Sequence, residues 1–219
     1  MEWTNHSTPL PCACWVDQQA VWPERGENIL AHHDADTIVV YQAYRPEIGQ
    51  WAIRHGQLGG PAFSFNRMSW VKPNFLWMMY RSGWGTKEGQ EITLGLRIRR
   101  SFFDRLLADA VPSSFEASGL ADRGAWAAAV EASEVRLQWD PDHAPDGTKL
   151  ARRAVQLGLR GKALRELATS ALVEVIDMTA FVAEQRSQAE GDWQQLRTPM
   201  EQIYPASARR PRGNEEIPT

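Results

Sequence analysis

Cysteine is nearly missing: 219 residues hold two, Cys12 and Cys14, with one alanine between them. They are too close for an ordinary long-loop disulfide and lack a second pair for zinc, so both are read as reduced thiols. No apolar run is long enough to span a bilayer, and the N-terminus MEWTNHSTPLPCACW has no cationic start followed by an apolar stretch. A soluble, cytoplasmic protein with no membrane partner is expected. A basic excess is also missing, since 24 Lys and Arg against 27 Asp and Glu leave a net charge of -3. That removes the overall balance of a non-specific nucleic-acid binder but leaves a local basic patch open.

The motifs of several common chemistries are absent too. Without G-x-G-x-x-G or a phosphate loop, Rossmann and P-loop nucleotide sites are disfavoured. Without a G-x-S-x-G elbow, and with Ser64, Ser69 and Ser82 near cations but near no His, nucleophilic hydrolysis is unsupported. His32, His33, His55 and His143 are scattered over separate loops, so no metal site is expected. Asp34 with Asp36 and Asp140 with Asp142 sit beside turn signals, where Asp caps helices or bonds local backbone, and neither pair is read as a catalytic dyad.

What is present is a globular balance, 43% hydrophobic and 23% charged, on a chain able to bury a sizeable core. Tryptophan is over-used, with ten residues. Three of them fall in the run 64–85, SFNRMSWVKPNFLWMMYRSGWG, with two Phe, a Tyr, three Met and the cations Arg67, Lys72 and Arg81. Rings beside cations suit a flat, charged ligand such as a nucleotide, because rings stack and cations meet phosphate or carboxylate. Buried in a core, the same residues would mean packing alone.

Residues 1–20 are expected to be irregular, 21–204 to form one domain, and 205–219 to be a disordered tail. Strands are expected over 37–42, 68–71, 91–98, 135–139, 154–159 and 172–176. Helices are expected from Pro46 to Gly56, from Pro73 to Gly83, after a Ser101 cap, near 124–132, over 161–171, and from Asp177 or Thr179 towards Leu196. The segment DPDHAPDGTK reads as a loop. Strands separated by single helices suggest an α+β fold.

Candidate site residues are those that are polar where a strand would normally be apolar. Gln42 and Tyr44 end the first strand, Lys72 ends the second, and Gln156 interrupts AVQLGL. A buried Gln must satisfy two donors and two acceptors, so it completes a core network or faces a ligand. Arg81 and Ser82 precede Gly83, with Trp84 placed on a flexible loop; alternatively Arg81 simply closes a helix C-terminus.

The segments TIVVYQAYRPEI, FSFNRMSWVKPNFLWMMYRSGWGTK, VRLQWDP and RRAVQLGL resemble blocks of domain-of-unknown-function family 4291, over roughly Trp22 to Tyr204. A more distant resemblance joins VVYQAYRPEIGQWAIRHGQL to the opening of ADP-ribosyltransferase-type domains, whose usual His and Thr or Ser stand here as Gln42 and Tyr44. Their later catalytic Glu is matched by Gln156, which offers a dipole where Glu offers a charge. This resemblance implies a single domain with a split, mostly antiparallel sheet flanked by helices. It also implies NAD as substrate, cleaved at its nicotinamide–ribose bond with transfer to an unknown acceptor, or an RNA 2'-phosphotransferase-like reaction. Gln42 and Gln156 would then bond ribose hydroxyls or the carboxamide and stand at the catalytic positions. Tyr44, Trp70 and Tyr80 would flank the rings, and Lys72 and Arg81, with Ser82 beside them, would meet the pyrophosphate. The alternative is a non-catalytic RNA- or nucleotide-binding module stacking bases on Trp70, Trp77 and Trp84. The oligomeric state is left open.

Overall fold

A computed structural model of the chain describes residues 10–205. In chain order the elements are β1 (Cys12–Cys14), α1 (Trp15–Gln19), β2 (Gly26–Glu27), β3 (Leu30–Ala31), β4 (Thr37–Tyr44), α2 (Pro46–His55), β5 (Ser69–Val71), α3 (Phe75–Ser82), β6 (Ile92–Arg99) and α4 (Arg100–Asp109). There follow β7 (Val111–Pro112), α5 (Arg123–Ala132), β8 (Val135–His143), β9 (Lys149–Leu159), α6 (Gly161–Ala168), β10 (Leu172–Asp177), α7 (Thr179–Arg186), β11 (Arg197–Pro199) and β12 (Gln202–Ile203). The class is α+β, and six of the eight strand pairings among the described residues are antiparallel, β2–β9 and β7–β8 being parallel.

The alternation Ile92, Leu94, Leu96, Ile98 makes β6 a strand, and it becomes the centre of a β10–β6–β4 sheet in which Leu96 faces Val40 on one side and Val175 on the other. The face bearing Leu94, Leu96 and Ile98 packs into a core with Phe102, Phe103 and Leu157. The other face is covered as well: Thr93 is fully buried, and Gly95 lies against Val39, Ile176 and Met178. β6 is therefore buried on both faces, because a second core built on Tyr41, Phe75, Met79 and Val182 closes over that side.

β8 and β9 form a long hairpin with Gln138 opposite Gln156, flanked by β7 beyond β8 and by β2 and β5 beyond β9. Between the two sheets lies one isolated bridge, in which Tyr41 N donates to Lys72 O at 2.7 Å and Lys72 N to Tyr41 O at 3.1 Å. This seam sets β5 and Lys72 between the C-terminal halves of β4 and β9.

Local chemistry explains the helix that borders the seam. Asn74 accepts from Trp77 N at 2.7 Å and caps α3, buried Glu201 accepts from Phe75 N at 2.7 Å, and Gly83 at φ 57 turns the chain away. Pro73 thus precedes the cap instead of opening the helix. α2 begins on Pro46 and ends at Gly56 as its sequence implies.

Other boundaries move for identifiable reasons. Residues 12–19, expected to be irregular, form β1 and α1, since β1 pairs with β11 from the far end of the chain. Ser101 lies inside the first turn of α4 and gives no cap bond. Half of the expected loop DPDHAPDGTK is strand: Asp142 is held at 2.7 Å by buried Arg152 across the hairpin, leaving 144–148 as the turn. α7 stops at Arg186, ten residues short of Leu196. The rest of the expected N-terminal irregular segment, 1–9, and residues 206–219 of the expected tail lie outside the described residues. No helix among the described residues is long and apolar enough to cross a membrane.

Candidate functional site

At the seam the two sheets leave a cleft of about 560 Å³, inside the range of roughly 300–1,000 Å³ usual for small-molecule sites. Its far wall is the hairpin. Successive strand residues alternate faces, so Val155, Leu157 and Leu159 enter the core while Gln156 faces the cleft beside Gln138 and Asp140 of β8. Gln156 Nε2 donates to Asp140 Oδ2 at 2.7 Å, and Gln138 Nε2 donates to Asp140 Oδ1 at 2.7 Å. Ser113 Oγ in turn donates to Gln138 Oε1 at 3.2 Å. Two amides thus fix a carboxylate in the cleft without neutralising it.

The near wall comes from β4, β5 and α3. Trp70 is half-buried and pairs in register with Gly158, and a Cβ on that glycine would stand 2.9 Å from the indole and 2.7 Å from Met68 Sδ. Only a residue without a side chain lets the Trp70 ring lie on the sheet here. Gln42 lies two residues before the end of β4, Trp77 and Met78 close the back from α3, and Gln90 enters from the turn before β6. Arg81, in the last turn of α3, is exposed, and its guanidinium makes no ion pair or hydrogen bond among the described residues.

Lys72 is the unusual member. It is 3% exposed, and its Nζ donates to Trp70 O at 3.1 Å. No carboxylate among the described residues pairs with it. Burial pushes its ammonium down to about 7; the Arg81 charge acts in the same direction, and Asp140 opposes them.

Five of the residues singled out in the sequence, Gln42, Trp70, Lys72, Arg81 and Gln156, therefore converge on one cleft. Three do not. Tyr44 is turned into the core, 8% exposed, with its hydroxyl 3.2 Å from Ser69 Oγ. Ser82 is fully buried and ties its own helix end, donating to Met78 O at 3.0 Å and accepting from Gly85 N at 3.2 Å. Tyr80 stacks outside the cleft on His143, ring centroids 3.6 Å apart. Trp84 is not on a loose loop either: it is 9% exposed, donates to Pro145 O at 3.1 Å, and its carbonyl accepts from Arg186. Most of the aromatic run is core, since Phe75, Leu76, Trp77, Met78 and Met79 are all buried.

Gln138 and Gln90 are not singled out in the sequence analysis, and Asp140, considered there only with Asp142 as a turn residue, joins them in the cleft. The spacing of Gln138 and Asp140, two apart, carried the signal, but the D-P-D string looked like a turn. A second cavity of about 440 Å³ between α4, α5 and α6 holds none of the predicted residues. Two of its carboxylates are already engaged: Glu134 accepts from Lys162 N and Ala163 N, and Arg105 pairs with Glu166. Among the described residues no three His, Cys, Asp or Glu side chains gather as a metal site would need.

Comparison with curated proteins gives no match. The sequence profile described as "Domain of unknown function (DUF4291)" matches residues 28–204, a span that contains every residue of the cleft, and the chain belongs to that family.

Proposed function

We propose that the cleft binds a nucleotide, that NAD is this ligand, and that the protein acts in the manner of an ADP-ribosyltransferase. The observation that supports this most is the convergence of a stacking ring, a buried amine, a guanidinium and an amide-held carboxylate on one cleft: Trp70, Lys72, Arg81 and Asp140. Trp70 offers a face for a flat heterocycle, and Gln42 and Gln90 offer amide edges to it. Arg81, whose guanidinium is unpaired among the described residues, is suited to a pyrophosphate oxygen pair.

Loss of nicotinamide takes the bonding electrons with its ring nitrogen and leaves positive charge on the ribose carbon. A carboxylate nearby lowers that barrier, and position 156 cannot supply one. Asp140 can, held in place by Gln138 and Gln156. In this reading Gln156 positions the charge, and the acceptor is whatever nucleophile reaches the freed carbon.

The RNA-module reading loses support from burial, because Trp77 and Trp84 are 5% and 9% exposed and leave Trp70 as the accessible indole of the three. Calorimetric titration with NAD, coupled to a nicotinamide-release assay, tests the proposal. Binding at sub-millimolar NAD, weakened by Trp70→Ala, is expected, with release abolished by Asp140→Asn. No heat at millimolar NAD removes it.

A further inference from the structure

Lysine is scarce in this chain: Lys72, Lys87, Lys149 and Lys162 are all there are. The last three are exposed, whereas Lys72 is buried on the wall of the cleft. One donor of its amine is used on Trp70 O at 3.1 Å, and no carboxylate among the described residues holds the rest as an ammonium. Buried amines of this kind, desolvated and close to another cation, are the ones that act as nucleophiles towards carbonyl groups. Around Lys72 stand the other parts such a ligand needs. Arg81 faces it from α3 with no side-chain partner among the described residues, Asp140 faces it from β8, and the Trp70 indole gives a flat surface.

We infer that Lys72 is a covalent site, condensing with the aldehyde of a phosphate-bearing ligand held in the cleft by Arg81 and Trp70. The lone pair of Nζ adds to the carbonyl carbon and the carbonyl oxygen takes up a proton. The nitrogen gives up two protons in all, the hydroxyl so formed takes up a second one and leaves as water, and a C=N bond remains. Amine plus aldehyde becomes imine plus water, and no oxidant or reductant is consumed. When the imine is protonated, Asp140 is the carboxylate placed to stabilise it. The ligand class is therefore a phosphorylated aldehyde or the ring-opened sugar of a nucleotide such as ADP-ribose. The inference rests on reading the cleft as an anion-holding site and not on NAD being its ligand.

The test uses the full chain at pH 8, where an amine titrating near 7 is mostly neutral and exceeds an ordinary lysine in neutral fraction by roughly 200-fold. One sample receives pyridoxal 5'-phosphate and a second ADP-ribose; both are reduced with borohydride, digested and mapped by mass spectrometry. Lys72 should carry the adduct at a reagent concentration about tenfold below that needed for the three exposed lysines. Lys72→Arg should leave only the background, and Arg81→Gln should raise the concentration required about fivefold. An adduct from either reagent supports the inference and shows which source the cleft prefers. Lys72 unlabelled by both, or labelled no sooner than Lys87, Lys149 and Lys162, overturns it. NAD calorimetry on the same preparation separates the two claims. Selective labelling without NAD binding removes the NAD reading and leaves the covalent site; NAD binding with Lys72 unlabelled removes the covalent site alone.

Discussion

Replacing Lys72 with Met keeps the length of the side chain and removes the buried amine. In the folded protein burial holds the Lys72 ammonium down at about 7, with Arg81 pushing the same way and Asp140 opposing; in the unfolded chain it returns to about 10.4. Between these values the unfolded chain carries a proton that the folded protein has shed, so stability rises with pH. Below about 7 both states are protonated and the full cost of burying the charge is present; above about 10.4 neither is and the cost is gone. Integrated from pH 7 to pH 9, the change is about 2 kcal/mol in favour of the wild type. Urea denaturation of both proteins at the two pH values measures it. Lys72→Met should be the more stable at pH 7, and its advantage should shrink by about 2 kcal/mol by pH 9. Parallel pH profiles would mean that Lys72 titrates like a surface lysine, and the reasoning about its amine would fail.

Four further substitutions separate fold from site. Leu96→Ala, at a fully buried position between Val40 and Val175, should cost about 2 to 5 kcal/mol in denaturant unfolding, while Arg81→Ala, exposed and unpaired among the described residues, should cost under about 1 kcal/mol and lose ligand affinity instead. Gly158→Ala sets a methyl against the Trp70 indole and Met68 sulfur; it should cost about 1 to 3 kcal/mol, and ligand titration should show weaker binding as the ring is lifted from the wall. Gln156→Glu would replace an amide donor by a second carboxylate 2.7 Å from Asp140 Oδ2. The pair should share a proton, so nicotinamide release should fall, with a new pH dependence above the normal carboxylate range.

The parts of the fold that could be read in advance are those whose signals are local. Thr37–Tyr44 is β-branched and aromatic, Pro46 and Gly56 bracket α2, and Ile92–Ile98 alternates. The parts that could not are set by distant partners. Asp142 reads as a turn residue until Arg152 is found across the hairpin, and residues 12–14 have no strand character until Arg197–Pro199 comes to pair with them. The candidate site divides the same way. Gln42, Lys72 and Gln156 were visible because each breaks an apolar strand. Tyr44 and Ser82 looked equally exceptional, but Ser69 and the Met78 carbonyl satisfy them inside the fold. Asp140 was hidden by Pro141, and only the register opposite Ala154 turns its carboxylate towards Gln156. The aromatic run suggested a ligand surface along its whole length, yet α3 is enclosed so nearly all round that Trp70, Lys72 and Arg81 carry what remains of that idea.

A crystal structure of the protein grown with millimolar NAD tests the central claim most directly. The account predicts density in the cleft between the two sheets, with a ring on Trp70, phosphate oxygens at Arg81 and the nicotinamide-bearing ribose facing Asp140. An empty cleft at that concentration, or NAD bound in the second cavity between α4, α5 and α6, would contradict it.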